Sequence, residues 1–282
     1  MTDNSPDLWL PRFPWPKTDG SKYDRGHAVV VGGPVAHTGA ARLAAKAALR
    51  IGAGLVSLAC DPSSLIVYAT ALEAVMTKVI RDEAAFTGLI ADPRITAVLI
   101  GPAAGVDART KALVLAALRA QKPCVLDADA LTVFQDDPAE LFGAVRSPVL
   151  LTPHEGEFAR LFGKVTDRQA DTMKAARTSG AVVLLKGSDT IIATPDGRCV
   201  VNRTAPPWLA TAGSGDVLAG MAAGLMAQGV EVFDAACAAA WLHAEAARAF
   251  GPGLIAEDIE AELPGVLTDL DARKQVTPPP RA

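Results

Sequence analysis

What most limits the folds open to this chain is a unit that recurs along it: a short apolar run, often β-branched, that stops at a polar or glycine-rich turn. Ala28 to Val31 stops at Gly32-Gly33, Ala97 to Ile100 at Gly101-Pro102-Ala103-Ala104-Gly105, and Cys124 to Leu126 at Asp127-Ala128-Asp129. Val149 to Leu151 runs into Thr152-Pro153-His154-Glu155-Gly156-Glu157, and Val182 to Leu185 into Lys186-Gly187-Ser188-Asp189-Thr190. Unbroken apolar runs of this length read as strands buried on both faces. Helical stretches such as Ala41 to Ile51 and Ala108 to Arg119 lie between them, and strands alternating with helices make a parallel sheet. The expected class is α/β, a mostly parallel central sheet with helices on both faces. Thr190 to Ala193 and Cys199 to Val201, joined through Pro195-Asp196-Gly197, add a local antiparallel hairpin. Val232 to Phe250 reads as an Ala-rich helix, and Ala256 to Leu270 as one or two short helices. Ligands of such sheets sit outside the carboxyl ends of the strands, so the polar stops should converge on one crevice.

With 282 residues, half of them hydrophobic, the chain can bury the core of one large domain. We place that domain at 22–273, after an N-terminal extension (1–21) and before a tail (274–282) whose Thr277-Pro278-Pro279-Pro280 should be disordered. A net charge of -4 with no run of Lys or Arg argues against nucleic acid and anionic membrane as partners and leaves a small molecule. The apolar run Val217 to Ala227 ends at Gln228, short of the roughly 20 residues of a membrane span. The start of the chain lacks a basic stretch followed by an apolar one, so no signal peptide is expected. The four cysteines, Cys60, Cys124, Cys199 and Cys237, are scattered in apolar contexts and read as reduced thiols in a cytoplasmic protein.

The chemistry gathers around Ala212-Gly213-Ser214-Gly215-Asp216. Gly213 and Gly215 flank Ser214 where a sharp turn brings backbone N–H groups to bear on one point, and the helix that follows adds its dipole, which together suit a phosphate. Asp216 stands beside that anion site. It either caps the helix or serves as a base on a hydroxyl that attacks a phosphoryl group. His154, after a strand, belongs to the crevice or to a generic loop. Glu157 is a helix-start acid or an indirect holder of hydrated Mg²⁺. Lys186, with Thr190 adding a hydroxyl, reaches a phosphate or lies on the surface. Asp127 and Asp129 are assigned to capping the helix that begins near Ala130. Trp208 covers the crevice or packs on the hairpin. Neither a Walker A loop nor Gly-x-Gly-x-x-Gly is present.

Taken in order and spacing, several stretches resemble the ribokinase-like superfamily and, within it, the NAD(P)H-hydrate dehydratases. They are Lys22-Tyr23-Asp24-Arg25-Gly26-His27, Thr38-Gly39-Ala40-Ala41, Gly52-Ala53-Gly54-Leu55-Val56 and Glu73-Ala74-Val75-Met76. Leu126 to Leu131, Thr152 to Glu157 and the Gly213-Ser214-Gly215-Asp216 segment complete the set. The resemblance covers about Tyr23 to Phe250. It implies a ribokinase-like fold and repair of hydrated NADH or NADPH (the S epimer), with ADP, or ATP in other branches, phosphorylating the ring hydroxyl so that it leaves as phosphate. By the same resemblance Asp216 is the catalytic base and also touches substrate. Ala40, Gly105 and His154 line the hydrated cofactor's site, while Lys186, Gly187, Ser188, Asp189, Thr190, Gly213, Ser214 and Gly215 contact the adenine nucleotide. Mg²⁺ bridges the phosphates with Glu157 as its indirect holder, the assembly is a homotetramer, and an epimerase domain or partner accompanies the enzyme.

Three departures stand out. The family's Gly-Pro-Gly-Leu-Gly is Gly101-Pro102-Ala103-Ala104-Gly105 here, its Gly-Gly-Thr-Gly-Asp is Ala212-Gly213-Ser214-Gly215-Asp216, and a glycine-rich loop becomes Ala205-Pro206-Pro207-Trp208. Two other functions stay open on these residues: a ribokinase-like kinase of a small alcohol or vitamin precursor, and a non-catalytic nucleotide-binding protein.

Overall fold

The computed structural model describes residues 2–276. The elements in chain order are β1 (Thr2–Asp3), β2 (His27–Val31), α1 (Gly39–Arg50), β3 (Leu55–Cys60), α2 (Leu65–Ala71), β4 (Met76–Val79), α3 (Glu83–Ile90), β5 (Ala97–Ile100) and α4 (Ala108–Arg119). Then come β6 (Cys124–Leu126), α5 (Asp129–Thr132), α6 (Pro138–Ala144), β7 (Val149–Leu151), α7 (Glu155–Phe162), α8 (Arg168–Ser179), β8 (Val182–Leu185), β9 (Thr190–Ala193) and β10 (Cys199–Asn202). Three long helices close the chain: α9 (Ser214–Ala227), α10 (Val232–Phe250) and α11 (Ala256–Val276).

The strands form one ten-stranded sheet in the order β1-β10-β9-β8-β7-β6-β5-β2-β3-β4. Only β9 runs against its neighbours, through the hairpin read from the Asp-Gly turn. The chain leaves β2 towards β3 and β4, then returns to pair β5 with the other flank of β2. This reversal is the switch point where an open sheet parts its connections and leaves a crevice. The loops that follow β2 and β5 meet there: a Cβ on Gly33 would lie 2.0 Å from the Ala103 carbonyl oxygen. Tyr68 donates its hydroxyl to the Gly33 carbonyl at 3.1 Å, and burial pushes that phenol up to about 12.

Helices cover both faces. One core lies between the sheet and α1, α9, α10 and α11, the other between the sheet and α3 to α8. From Val217 to Ala227 every residue of α9 is buried, as an apolar helix without a polar face must be. It approaches α1 so closely that a Cβ on Gly220 would sit 2.2 Å from the Ala44 carbonyl oxygen, and one on Gly224 2.5 Å from that of Ala48. Gly220→Ala gains about 1 kcal/mol of helix propensity but drives two backbones apart, at a cost of about 3 kcal/mol. The net expectation is a lower urea midpoint with an unchanged slope. Gly88→Ala, at an exposed helical site with nothing within 4 Å of the added carbon, should raise the midpoint instead.

Two boundaries differ from the sequence reading. Of the stretch read as an extension, residues 2–15 lie on the domain. β1 pairs with β10, Asn4 donates to the Asn202 side chain at 2.9 Å and to the Cys237 carbonyl at 2.8 Å, and Trp9, 1% exposed, stacks obliquely on Trp241. Ala256 to Val276 is a single helix, longer than the one or two short ones expected, with Pro264 inside it. The disordered tail expected over 274–282 falls mostly at 277–282, outside the described residues, while 274–276 continue α11. No helix among the described residues is long and apolar enough to cross a membrane, and the four cysteines are free thiols.

Candidate active site

Five strand ends and one helix start build the site. Gly213 is the N-cap of α9 in the left-handed region (φ +88°), and a Cβ there would press on Leu43 and Ala256. This is the conformation expected of a glycine before an anion-binding helix. Gly215 differs from expectation: it lies inside the first turn of α9 with no positive φ. A Cβ there would stand in ordinary contact with Lys186 Nζ, 3.5 Å away, so the ammonium lies against the first turn of α9. The anion cradle thus acquires a lysine, delivered from the end of β8.

Lys186 Nζ donates to Asp127 Oδ1 at 2.7 Å and lies 3.8 Å from Glu157 Oε2. Burial alone would push its ammonium down, but Asp127, Glu157 and Asp216 outweigh burial and the net shift is upward. The loop after it is pinned from outside. Arg168 donates to the carbonyls of Lys186 (3.0 Å) and Asp189 (3.1 Å), so close to Gly187 that a Cβ there would fall 2.3 Å from the guanidinium. Thr190 donates its hydroxyl to the Gly187 carbonyl at 3.1 Å and also lines the cavity beside this loop.

A cavity of about 640 Å³ opens beside this loop. Lys186, Gly187, Ser188 and Thr190 line it together with Ser214, Gly215 and Ala205 to Pro207. Of the residues expected around the nucleotide, Asp189 instead faces Arg203 (3.7 Å) and Gly213 backs onto α1 and α11.

Asp216 follows Gly215 in the first turn of α9, within electrostatic reach of Lys186. It does not cap α9, whose N-cap is Gly213, and no described residue donates a hydrogen bond to its carboxylate. Its pKa is raised to about 6, first by burial and then by Asp127, with Asp129 and Glu157 adding to the rise and Lys186 opposing it. A half-buried carboxylate poised near neutrality, with no hydrogen-bond donor holding it, is what a general base requires.

The capping assignment of Asp127 and Asp129 is overturned. The N-cap of α5 is Ala128, with no side-chain cap. Asp127 instead accepts from Thr152 Oγ1 (2.9 Å) and Lys186, and Asp129 Oδ2 accepts the Gly105 N–H at 2.9 Å. A cap does appear at His154, whose Nδ1 accepts the N–H groups of Gly156 (2.9 Å) and Glu157 (3.2 Å). Glu157 returns the favour through Oε2 on the His154 N–H at 2.9 Å, completing a capping box. Glu157 is thus the helix-start acid of the sequence reading, and a buried one, while the His154 side chain stays 55% exposed. Ala40, Gly105 and His154 lie outside the lysine-lined cavity.

Residues 28–260 match the sequence model of a family described as NAD(P)H-hydrate dehydratase. The chain belongs to that dehydratase family. The ADP-dependent (S)-NAD(P)H-hydrate dehydratase of Neisseria meningitidis is 41% identical over 239 residues, which cover 81% of this chain and 78% of that one. The bifunctional NAD(P)H-hydrate repair enzyme of Moorella thermoacetica is 40% identical over 279 residues, covering 92% of this chain and 52% of its own length. The chain therefore spans about half the length of such bifunctional relatives. Among solved structures, the ADP/ATP-dependent NAD(P)H-hydrate dehydratase of Bacillus subtilis, co-crystallised with ATP and Mg²⁺, superposes with a TM-score of 0.84 at 27% identity, covering 96% and 99% of the two chains. The ribokinase-like fold is thereby established.

Two residues of this dehydratase-family site escaped the sequence reading. His243, buried in α10, places Nε2 2.9 Å from the Ser214 carbonyl oxygen and lines the cavity. Burial holds its imidazole down at about 4, so the ring is neutral and its Nε2–H is the donor. Asn202 also lines the cavity. Neither had a readable signal, since one interrupts an alanine-rich helix and the other merely ends a strand. The family departures have physical consequences too. Ala103 adopts φ +52°, a left-handed conformation that suits the family's glycine better. Trp208, which packs against the core cluster that includes Ile192 and Val200 of the hairpin, donates its Nε1–H to the Ala247 carbonyl on α10 at 2.8 Å.

Proposed function

We propose that the chain restores hydrated NADH or NADPH, as the S epimer, to the reduced cofactor in a reaction driven by ADP or ATP. The observation that carries this reading is Asp216, a carboxylate with no hydrogen-bond donor among the described residues and a pKa raised to about 6, at a helix N-terminus and within electrostatic reach of the Lys186 ammonium. Asp216 takes the proton of the ring hydroxyl, and the freed oxygen attacks the terminal phosphorus of the nucleotide. A phosphorus–oxygen bond forms to the substrate while the one to the departing AMP or ADP breaks. Backbone N–H groups at the start of α9, together with Lys186, stabilise the charge on the transferring group. The ring nitrogen's lone pair then expels phosphate with its carbon–oxygen bond. Loss of the proton from the neighbouring carbon restores the double bond, so a kinase-like site performs a lyase reaction. Nucleotide binding by Lys186 to Thr190 and Gly213 to Gly215, and hydrated-cofactor binding by Ala40, Gly105, His154 and Asp216, belong to the same proposal.

Mg²⁺ fits this donor set in one way. Mg²⁺ is kept chiefly by phosphates and water, and the buried Glu157 carboxylate lies 3.8 Å from the cavity-lining Lys186 Nζ. Glu157 would hold it through water, and when bound it neutralises phosphate charge. The proposal extends to a cytoplasmic setting, with which the free thiols accord. It also extends to an epimerase, fused or separate, that supplies the S epimer, and to a homotetramer. The exposed Met76 and Val79 on edge strand β4 are the kind of surface an assembly covers.

The test is cofactor recovery. Purified protein given hydrated NADH, Mg²⁺ and either ADP or ATP should regenerate the absorbance of the reduced cofactor. No recovery with either nucleotide sinks the proposal, and a stable phosphorylated alcohol as product would make the protein a kinase.

A further inference from the structure

The turn between β6 and α5 carries two carboxylates, and each holds a different wall of the site. Asp127 is 1% exposed and grips the Lys186 ammonium on the cavity side. Asp129, two residues on, grips the backbone of Gly105, which stands at φ +95° where no side chain limits the loop. Ala128 between them is left-handed at φ +47°, ψ -114°. Such a conformation persists in a residue with a Cβ only where the surroundings over-determine it. Here they do. The Asp127 N–H donates to the Ile100 carbonyl at 3.1 Å and its own carbonyl accepts from Ala130 at 3.0 Å. That carbonyl also packs against Gly101 so tightly that a Cβ on Gly101 would come within 1.7 Å of it.

We propose that Asp127 and Asp129 are positioning residues borne on one strained turn, Asp127 setting the Lys186 ammonium for the nucleotide and Asp129 setting the Gly105 loop for the hydrated cofactor. The geometry stands by itself; only the identity of the two ligands rests on the dehydratase reading. Loss of one member of a hydrogen bond in which either partner is charged typically weakens what it positions by about tenfold or more. The two carboxylates should therefore separate the two ligands.

Calorimetric titration with ADP and ATP, and steady-state kinetics with hydrated NADH, make the separation visible. Asp127→Ala should raise the nucleotide Kd about tenfold and leave the hydrated-cofactor KM within about twofold. Asp129→Ala should do the reverse. Asp129→Asn keeps an acceptor for the Gly105 N–H and should return the cofactor KM to near the parent value, a rescue that a merely structural role would not give. If Asp127→Ala fails to fold, Asp127→Asn, which keeps the Thr152 bond and removes the charge, carries the nucleotide arm. Equal rises in both constants, no rise in either, or an Asp129→Asn variant as impaired as Asp129→Ala would overturn the proposal. Should the parent protein prove inactive, the calorimetric arm still tests Asp127, so failure of the dehydratase reading and failure of the positioning role remain distinguishable.

Discussion

Asp216→Asn is expected to lower kcat by about 10² to 10⁴ while leaving the nucleotide Kd within about threefold, the usual signature of losing a positioned general base. The amide keeps the size of the side chain and cannot accept the hydroxyl proton. Because burial and the carboxylates Asp127, Asp129 and Glu157 hold Asp216 at about 6 against the opposing Lys186, the parent enzyme should also show an acid limb there. Above that pH the group is ionised and can take a proton; below it the group is already protonated and activity falls. In Asp216→Asn the limb should vanish from the residual rate. Unaltered turnover in the variant would mean that the protein binds nucleotide without using this carboxylate chemically.

Lys186→Met should have the second largest effect, about 10² to 10³ in kcat with a raised nucleotide KM. Two other consequences follow from its position among Asp127, Glu157 and Asp216. Removing the one cation that lowers Asp216 moves the acid limb upward. It also leaves the buried Asp127 carboxylate without its counter-charge, at a cost of about 3–5 kcal/mol in stability. Lys186→Met with Asp127→Asn should recover much of that stability without recovering turnover, and a thermal melt alongside the rate assay separates the two effects. A double variant that regains activity would assign Lys186 a purely structural part.

Several features were legible before any coordinates. The strands from Ala97–Ile100 to Val182–Leu185 fall where their apolar runs lie, since a strand buried on both faces leaves few other choices of residue. The hairpin followed from its Asp-Gly turn, and the site loops from the polar stops that end the strands. Elements with mixed faces were missed: β4 is largely exposed and α8 is strongly polar, so neither shows the continuous apolar signal that marked the others.

At the site itself, local signals named the residues and mistook some of their partners. Asp127 and Asp129 precede a helix and so looked like caps; a strained Ala128 sends them to Lys186 and Gly105 instead. Gly215 looked like a turn residue and proves to be a helical one lying against the Lys186 ammonium.

By its own order of residues, then, this chain determined its parallel sheet, its crevice at the strand ends and the chemical types gathered there, because burial and backbone dihedrals act over a few neighbouring positions. Only the tertiary structure decided which charge faces which. Lys186 meets Asp127 across 59 positions of sequence, and a contact of that span is set by how strands are ordered in the sheet, which no local pattern encodes.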